Sequence, residues 1–218
     1  MKILIFGATG MVGRGTLREC LADSRVESVL SVGRSACGET HAKLREILLP
    51  DLFDLSSASQ DLSGFDACLY CLGASPATLS ARAYRRVTVD LTLSVARFLA
   101  PRNPGMTFVY VSGAGVNPGR RTLVHTLRAK GEVEAALAAL PFRATCMLRP
   151  GLIRPLDGIR SRTVSHRLFY AMMEPLMPLF VRMLPGLITD TRRLGRAMLR
   201  AASGEVPRVL ETRQINEG

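Results

Sequence analysis

Tryptophan is absent from this 218-residue chain, aromatic residues make up 6% of it, and of its 29 basic residues only Lys2, Lys43 and Lys130 are lysine. Each shortage excludes something. A chain so poor in aromatics offers no succession of rings on which single-stranded bases could stack. The net charge of +11 invites a nucleic-acid or membrane-surface partner. Yet the arginines are scattered and no basic run is interleaved with stacking residues, so a nucleic-acid partner is not expected. No run of about 18 uninterrupted apolar residues occurs, which argues against a spanning helix. His41, His125 and His166 lack metal-ligand spacing, so no metal is expected. The five cysteines (Cys20, Cys37, Cys68, Cys71 and Cys146) are an odd number in mostly apolar settings, and read as reduced core residues. Cys68 and Cys71 form a CxxC, but three residues apart in a strand they point to opposite faces. Met1 and Lys2 lead straight into ILIF and a glycine turn with no cleavage pattern, and a cytoplasmic location is expected.

What is present is a rhythm. Short apolar runs at 2–6, 26–32, 45–50, 66–73, 106–113 and 142–151 alternate with helical patterns at 11–22, 80–100 and 121–140. Residues 54–64 have room for a short helix at most. Such alternation predicts βαβ units, a doubly wound parallel sheet and a Rossmann-like α/β fold in a single domain spanning 1–218. After Gly151 the pattern changes, and residues 152–205 are expected to form a small helical cap on the substrate side. Within it, 163–188 is apolar, methionine-rich and broken by prolines, whereas 189–202 reads as a capped helix. The stretch 168–187 admits several readings: helices packed on the sheet, a lid over an apolar substrate, a dimer surface, or a membrane-surface helix. RVLETRQI (208–215) reads as a last short strand.

The sharpest local signal is KILIFGATGMVGRG, in which Gly7, Gly10 and Gly13 fall between the first strand and the first helix. Glycines in that place let backbone amides approach a diphosphate, and the helix N-terminus adds unpaired N–H groups and partial positive charge. The residue ending the second strand discriminates between dinucleotides, because an acid there binds a ribose 2′-OH and an arginine a 2′-phosphate. Here it is Arg34, with Arg14 able to offer a second guanidinium. NADP(H) is therefore favoured over NAD(H).

GATGMVGRG, CLGAS (71–75), VSGAG (111–115), KGEVEAAL (130–137) and LRPG (148–151) together resemble the short-chain dehydrogenase/reductase superfamily, and more narrowly its atypical, epimerase-like and NmrA-like branch. The resemblance implies that Gly7, Thr9, Gly10, Met11 and Val12 contact the phosphates and adenosine. It puts Asp51 and Leu52 beside the adenine, and Leu72 and Gly73 along the ribose. It makes Ser112 the hydroxyl facing a substrate carbonyl, Lys130 the holder of the nicotinamide ribose, and Pro150-Gly151 the backbone beside the carboxamide.

The chain departs from that pattern at one place. Four residues before the lysine, where the reductases carry a proton-donating tyrosine, stands Thr126. A threonine alkoxide is far too basic to replace a phenol near neutrality. His125 is five residues from Lys130, about 140° around a helix, and faces away from it. Of the tyrosines, Tyr84 and Tyr170 remain as entrants from other elements, and Tyr110 reads as core. The expectation is an NADP(H)-binding oxidoreductase-like protein, monomeric or homodimeric, that reduces a carbonyl or activated double bond of a small apolar substrate. The alternative is a non-catalytic NADP(H)-sensing regulatory or scaffold protein.

Overall fold

The computed structural model describes residues 1–119, 122–158, 186–204 and 206–217. Seven parallel strands form one sheet: β1 (Lys2–Phe6), β2 (Ser28–Gly33), β3 (Leu44–Leu48), β4 (Ala67–Tyr70), β5 (Thr107–Val111), β6 (Ala144–Arg149) and β9 (Val209–Glu211), in the order β3-β2-β1-β4-β5-β6-β9. The chain winds outwards from β1 through β2 to β3, then crosses back and winds the other way from β4. The reversal lies between β1 and β4, where Phe6 pairs with both Val32 and Tyr70. In such sheets that reversal opens the ligand crevice at the carboxyl ends of the strands.

The strands were legible because a sheet covered on both faces needs apolar residues in succession. Ile3, Leu4, Ile5 and Phe6 are all fully buried, and their alternation divides the core in two. Leu4 and Phe6 join Tyr70, Phe108 and Tyr110 beneath α3 (Leu91–Leu99) and α4 (His125–Ala138). Ile3 and Ile5 join Leu69, Val109 and Leu148 beneath α1 (Met11–Ala22) and α5 (Thr191–Ser203). Cys68 falls in the first layer and Cys71 against the second, so the CxxC does straddle the sheet as its spacing requires.

The expected helix over 80–100 is a composite. Ser80 caps α2 (Ala81–Arg85) by accepting the Ala83 amide at 3.3 Å, a π-turn spans Arg86–Asp90, and α3 continues to Leu99. Helix α4 begins at His125, without a side-chain cap, rather than at residue 121. Ahead of it Asn117 Oδ1 accepts the Gly119 amide and holds the Pro118-Gly119 turn.

The C-terminal third differs most from expectation. Leu152–Arg154 (β7) and Ile188–Asp190 (β8) pair in a separate two-stranded parallel sheet. The helix expected over 189–202 is present as α5, capped by Asp190 and ended by Gly204 in left-handed conformation. Its apolar face packs on α1 and the sheet, so this part of the expected cap is a core layer. The last segment is not one strand: β9 gives way to α6 (Thr212–Asn216), opened by a reciprocal cap between Glu211 and Gln214. The methionine-rich stretch, with His166, Tyr170 and the lid and membrane readings attached to it, lies outside the described residues from 159 to 185.

Candidate functional site

The glycine turn leaves β1 and enters α1 with its backbone drawn tight. Gly7 has φ of 87°, its carbonyl accepts the Gly10 amide at 2.9 Å, and the Gly10 carbonyl accepts Arg14 N–H at 2.9 Å. A Cβ on Gly13 would stand 2.0 Å from the Gly7 oxygen, so no side chain fits there. Gly10 caps α1 with no side-chain hydrogen bond, and no acid sits in the first turn. The first amides of α1 therefore face outwards without a built-in acceptor, which is the arrangement an anion completes.

Two arginines lie around this turn. Arg14 is half-buried and its Nε is sealed from solvent without a hydrogen-bond partner. Arg34, just past β2, is exposed, and among the described residues no ion pair reaches it. Asp51 is exposed, with Oδ1 accepting the Phe53 amide at 2.9 Å. Leu52 has its side chain in the core, so only its backbone can border an adenine. At the end of β4, Leu72 is half-buried and its amide lies beneath the turn, 2.8 Å from where a Gly7 Cβ would be, while Gly73 is exposed. The Cys71 thiol beside them is pushed up to about 12 by burial and is no nucleophile.

Across the reversal, the ends of β5 and β6 bring Ser112, Lys130 and Pro150 together. Ser112 is buried, its amide donates to the Leu148 carbonyl, and its Oγ has no partner. Its carbonyl accepts Lys130 Nζ at 2.6 Å. Burial brings the Lys130 amine down to about 8, the charge of Glu134 opposing the shift. The Pro150 carbonyl accepts the Ala114 amide at 2.9 Å, and Gly151 N–H donates to Thr212 Oγ1 at 2.9 Å. These groups can polarise a bound oxygen, hold a hydroxyl and hold a proton near neutrality.

The remaining candidates lie elsewhere. Thr126 is half-buried in the first turn of α4. His125 is exposed and meets Tyr84 edge to face at 5.9 Å. Tyr84 is buried, as are Tyr70 and Tyr110, and burial raises all three phenols. A cavity of about 600 Å³ lined by Leu123, Leu127, Arg128 and Ala135 runs along α4 and contains neither Ser112 nor Lys130.

Sequence reasoning missed Glu134. It is 3% exposed, and both its oxygens are held by Arg149 of β6, whose Nη1 also reaches Glu211 at 3.0 Å. The signal was available. Glu134 shares an inward helical face with Lys130 and Leu137, where a carboxylate requires a partner.

The model of the NAD dependent epimerase/dehydratase family matches residues 3–129, more than half of the chain. The chain belongs to that family. Among curated relatives, the mitochondrial protein fmp52 of Emericella nidulans is 30% identical over 159 residues, covering 70% of this chain and 66% of that protein. Protein HTATIP2 of Rattus norvegicus is 28% identical over 155 residues, covering 70% of this chain and 62% of that protein. The chain thus aligns with somewhat less than two thirds of the length of these two relatives. Both belong to the atypical short-chain branch, as the motifs imply. A solved structure of MoeE5 in complex with UDP-glucuronic acid and NAD superimposes with a TM-score of 0.71 at 20% identity, over 96% of this chain and 75% of that one. It shows the same epimerase-type fold.

The relatives correct one expectation. Fmp52 of Emericella nidulans and fmp52-1 of Aspergillus terreus and Aspergillus oryzae are named mitochondrial, which points away from a cytoplasmic location. The first residues of the chain are taken up by β1 and carried no information about compartment.

The site fits the dinucleotide that this epimerase/dehydratase family implies. The open end of α1 and the unpartnered Arg14 Nε and Ser112 Oγ are each what such a ligand would use.

Proposed function

We propose that the protein binds NADP(H) and reduces a carbonyl or activated double bond of a small apolar substrate. The observation that carries this reading is the pairing, across the reversal of the sheet, of an open glycine turn with a buried, unpartnered Ser112 hydroxyl beside Lys130. Gly7, Thr9, Gly10, Met11 and Val12 would contact the phosphates and adenosine, Asp51 and the Leu52 backbone would flank the adenine, and Lys130 would hold the nicotinamide ribose. Leu72 and Gly73 would border the other ribose, with Pro150 and Gly151 against the carboxamide. The reduced dinucleotide supplies a hydrogen with its electron pair. Ser112 Oγ donates to the substrate oxygen and withdraws charge from the carbon that is reduced.

The choice of NADP(H) rests on Arg34, exposed and without an acid, and on Arg14. NAD, present in the MoeE5 structure, has no 2′-phosphate for them to bind. Replacing Arg34 by Asp is expected to raise the Kd for NADPH by roughly 10- to 100-fold, the worth of a charge-assisted hydrogen bond, while sparing NADH. An unchanged preference would remove the phosphate from this place.

Because the chain has no tryptophan, nicotinamide fluorescence reads binding against little background. Aldehydes, ketones and quinones should then oxidise the bound NADPH. The position of Thr126 favours a second reading, a sensor or scaffold that binds NADP(H) without turnover. Tight binding with every carbonyl left intact is the signature of that alternative.

A further inference from the structure

We infer that Lys130 itself gives the proton to the substrate oxygen, replacing the phenol that position 126 lacks; this rests on the oxidoreductase reading above. An ammonium carries three N–H donors. One is engaged by the Ser112 carbonyl at 2.6 Å. That leaves two, one for the nicotinamide ribose and one for the reacting oxygen. The residue that holds Nζ also bears the unpartnered hydroxyl, so the two donors a carbonyl oxygen needs are set by a single backbone position. Gly113 keeps the ammonium uncovered, for a Cβ there would stand 3.2 Å from Nζ.

The charged groups around Lys130 leave it free for this role. Glu134, one turn on, is held through both oxygens by Arg149 from β6, which Glu211 of β9 also holds. Tyr110 from β5 and Tyr84 from α2 are buried phenols kept neutral by desolvation. Arg85 and Asp90 from the α2 and π-turn segment pair with one another, and Arg85 with Glu132, at the exposed side of the helices. No carboxylate is left to tie down Nζ among these. Its acidity, brought to about 8 by burial, suits a proton donor working near neutrality.

When bound, the reduced nicotinamide dinucleotide would supply hydrogen and an electron pair to the carbonyl carbon. One Nζ–H bond of Lys130 breaks and an O–H bond forms. The carbonyl becomes an alcohol, the dinucleotide is oxidised, and the neutral amine regains its proton from water. It keeps its hydrogen bond to Ser112 throughout.

The test uses the full chain and its three lysines. Protein labelled with carbon-13 at lysine Cε gives three side-chain signals, and K130R identifies the one that matters. Lys130 is expected to titrate near 8, with kcat for a carbonyl substrate high below that pH and falling above it. Arginine retains the charge but cannot give up its proton. K130R should hold NADPH within about threefold of the wild-type Kd while losing turnover by at least about 100-fold. A Lys130 signal that titrates at the ordinary lysine value of 10.5, a kcat flat from pH 7 to 9, or K130R turnover within tenfold of wild type would each overturn the proposal. If K130R stays active and Y170F does not, the donor is Tyr170. Wild type that binds NADPH but reduces no carbonyl sinks the proposal in favour of the sensor, and absence of dinucleotide binding sinks the reading beneath it.

Discussion

A lysine whose proton affinity is depressed by burial is a burden on the fold until a ligand relieves it. In the unfolded chain Lys130 binds its proton up to about 10.5, in the folded one only to about 8. Between those values the unfolded state carries more protons, so stability rises with pH; the penalty is full below about 8 and fades as pH climbs towards 10.5. Its ceiling is roughly 3.5 kcal/mol at about 1.4 kcal/mol per unit. Partial exposure and loss of the bond to the Ser112 carbonyl reduce that. Lys130→Met is therefore expected to raise stability by about 1–2 kcal/mol at pH 7, and to show no gain at pH 10, as read from urea unfolding midpoints. A variant less stable than wild type at pH 7 would mean that the amine is better solvated than its setting implies. At this scale the sequence told much, because Ser112 and Lys130 lie in recognisable segments. It did not tell that Glu134 is taken by Arg149, since the partner comes from another element.

Elements show why the turn can be so tight. Helix α1 begins at the diphosphate turn and is braced from behind by α5, which comes from the far end of the chain. The two approach through small residues: a Cβ on Gly15 would meet the Thr191 carbonyl oxygen at 2.7 Å and the Thr191 Cβ at 2.8 Å. Gly15→Ala should push the helices apart at a cost of about 1–3 kcal/mol. It should also weaken NADPH binding, because the amides at the head of α1 shift with the helix. Unchanged thermal unfolding and unchanged fluorescence titration together would show that the contact relaxes without consequence. Some elements could be read from the sequence because periodicity over a dozen residues is robust. The π-turn at Arg86–Asp90 could not, for one extra residue per turn leaves the apolar pattern almost intact. Nor could the three-residue strands β7 and β8. The switch from β9 to α6 did carry a signal, the Glu211 to Gln214 spacing of a reciprocal cap.

For the whole molecule the question is what +11 charges are for. Much of the exposed arginine is answered locally by acids: Arg18 by Glu39, Arg192 by Asp157, Arg193 by Asp190, Arg196 by Glu19 and Arg213 by Glu217. Pairs of this kind add little stability, but they break up the field a polyanion would follow. Titration with duplex DNA at about 0.15 M salt is expected to give no binding tighter than the micromolar, salt-sensitive kind common to basic proteins. Nanomolar affinity would refute this. The topology was legible for a reason that also has a consequence. Among the described residues, one face of the sheet is covered chiefly by α1 and α5, and α5 is made about 170 residues after α1. A nascent chain that has emerged only as far as β6 already has the apolar side chains of Ile3, Ile5, Leu69, Val109 and Leu148, and nothing yet to lay over half of that surface. Apolar surface left open in that interval is the kind on which incomplete chains aggregate, so the fold is complete only when the final third arrives.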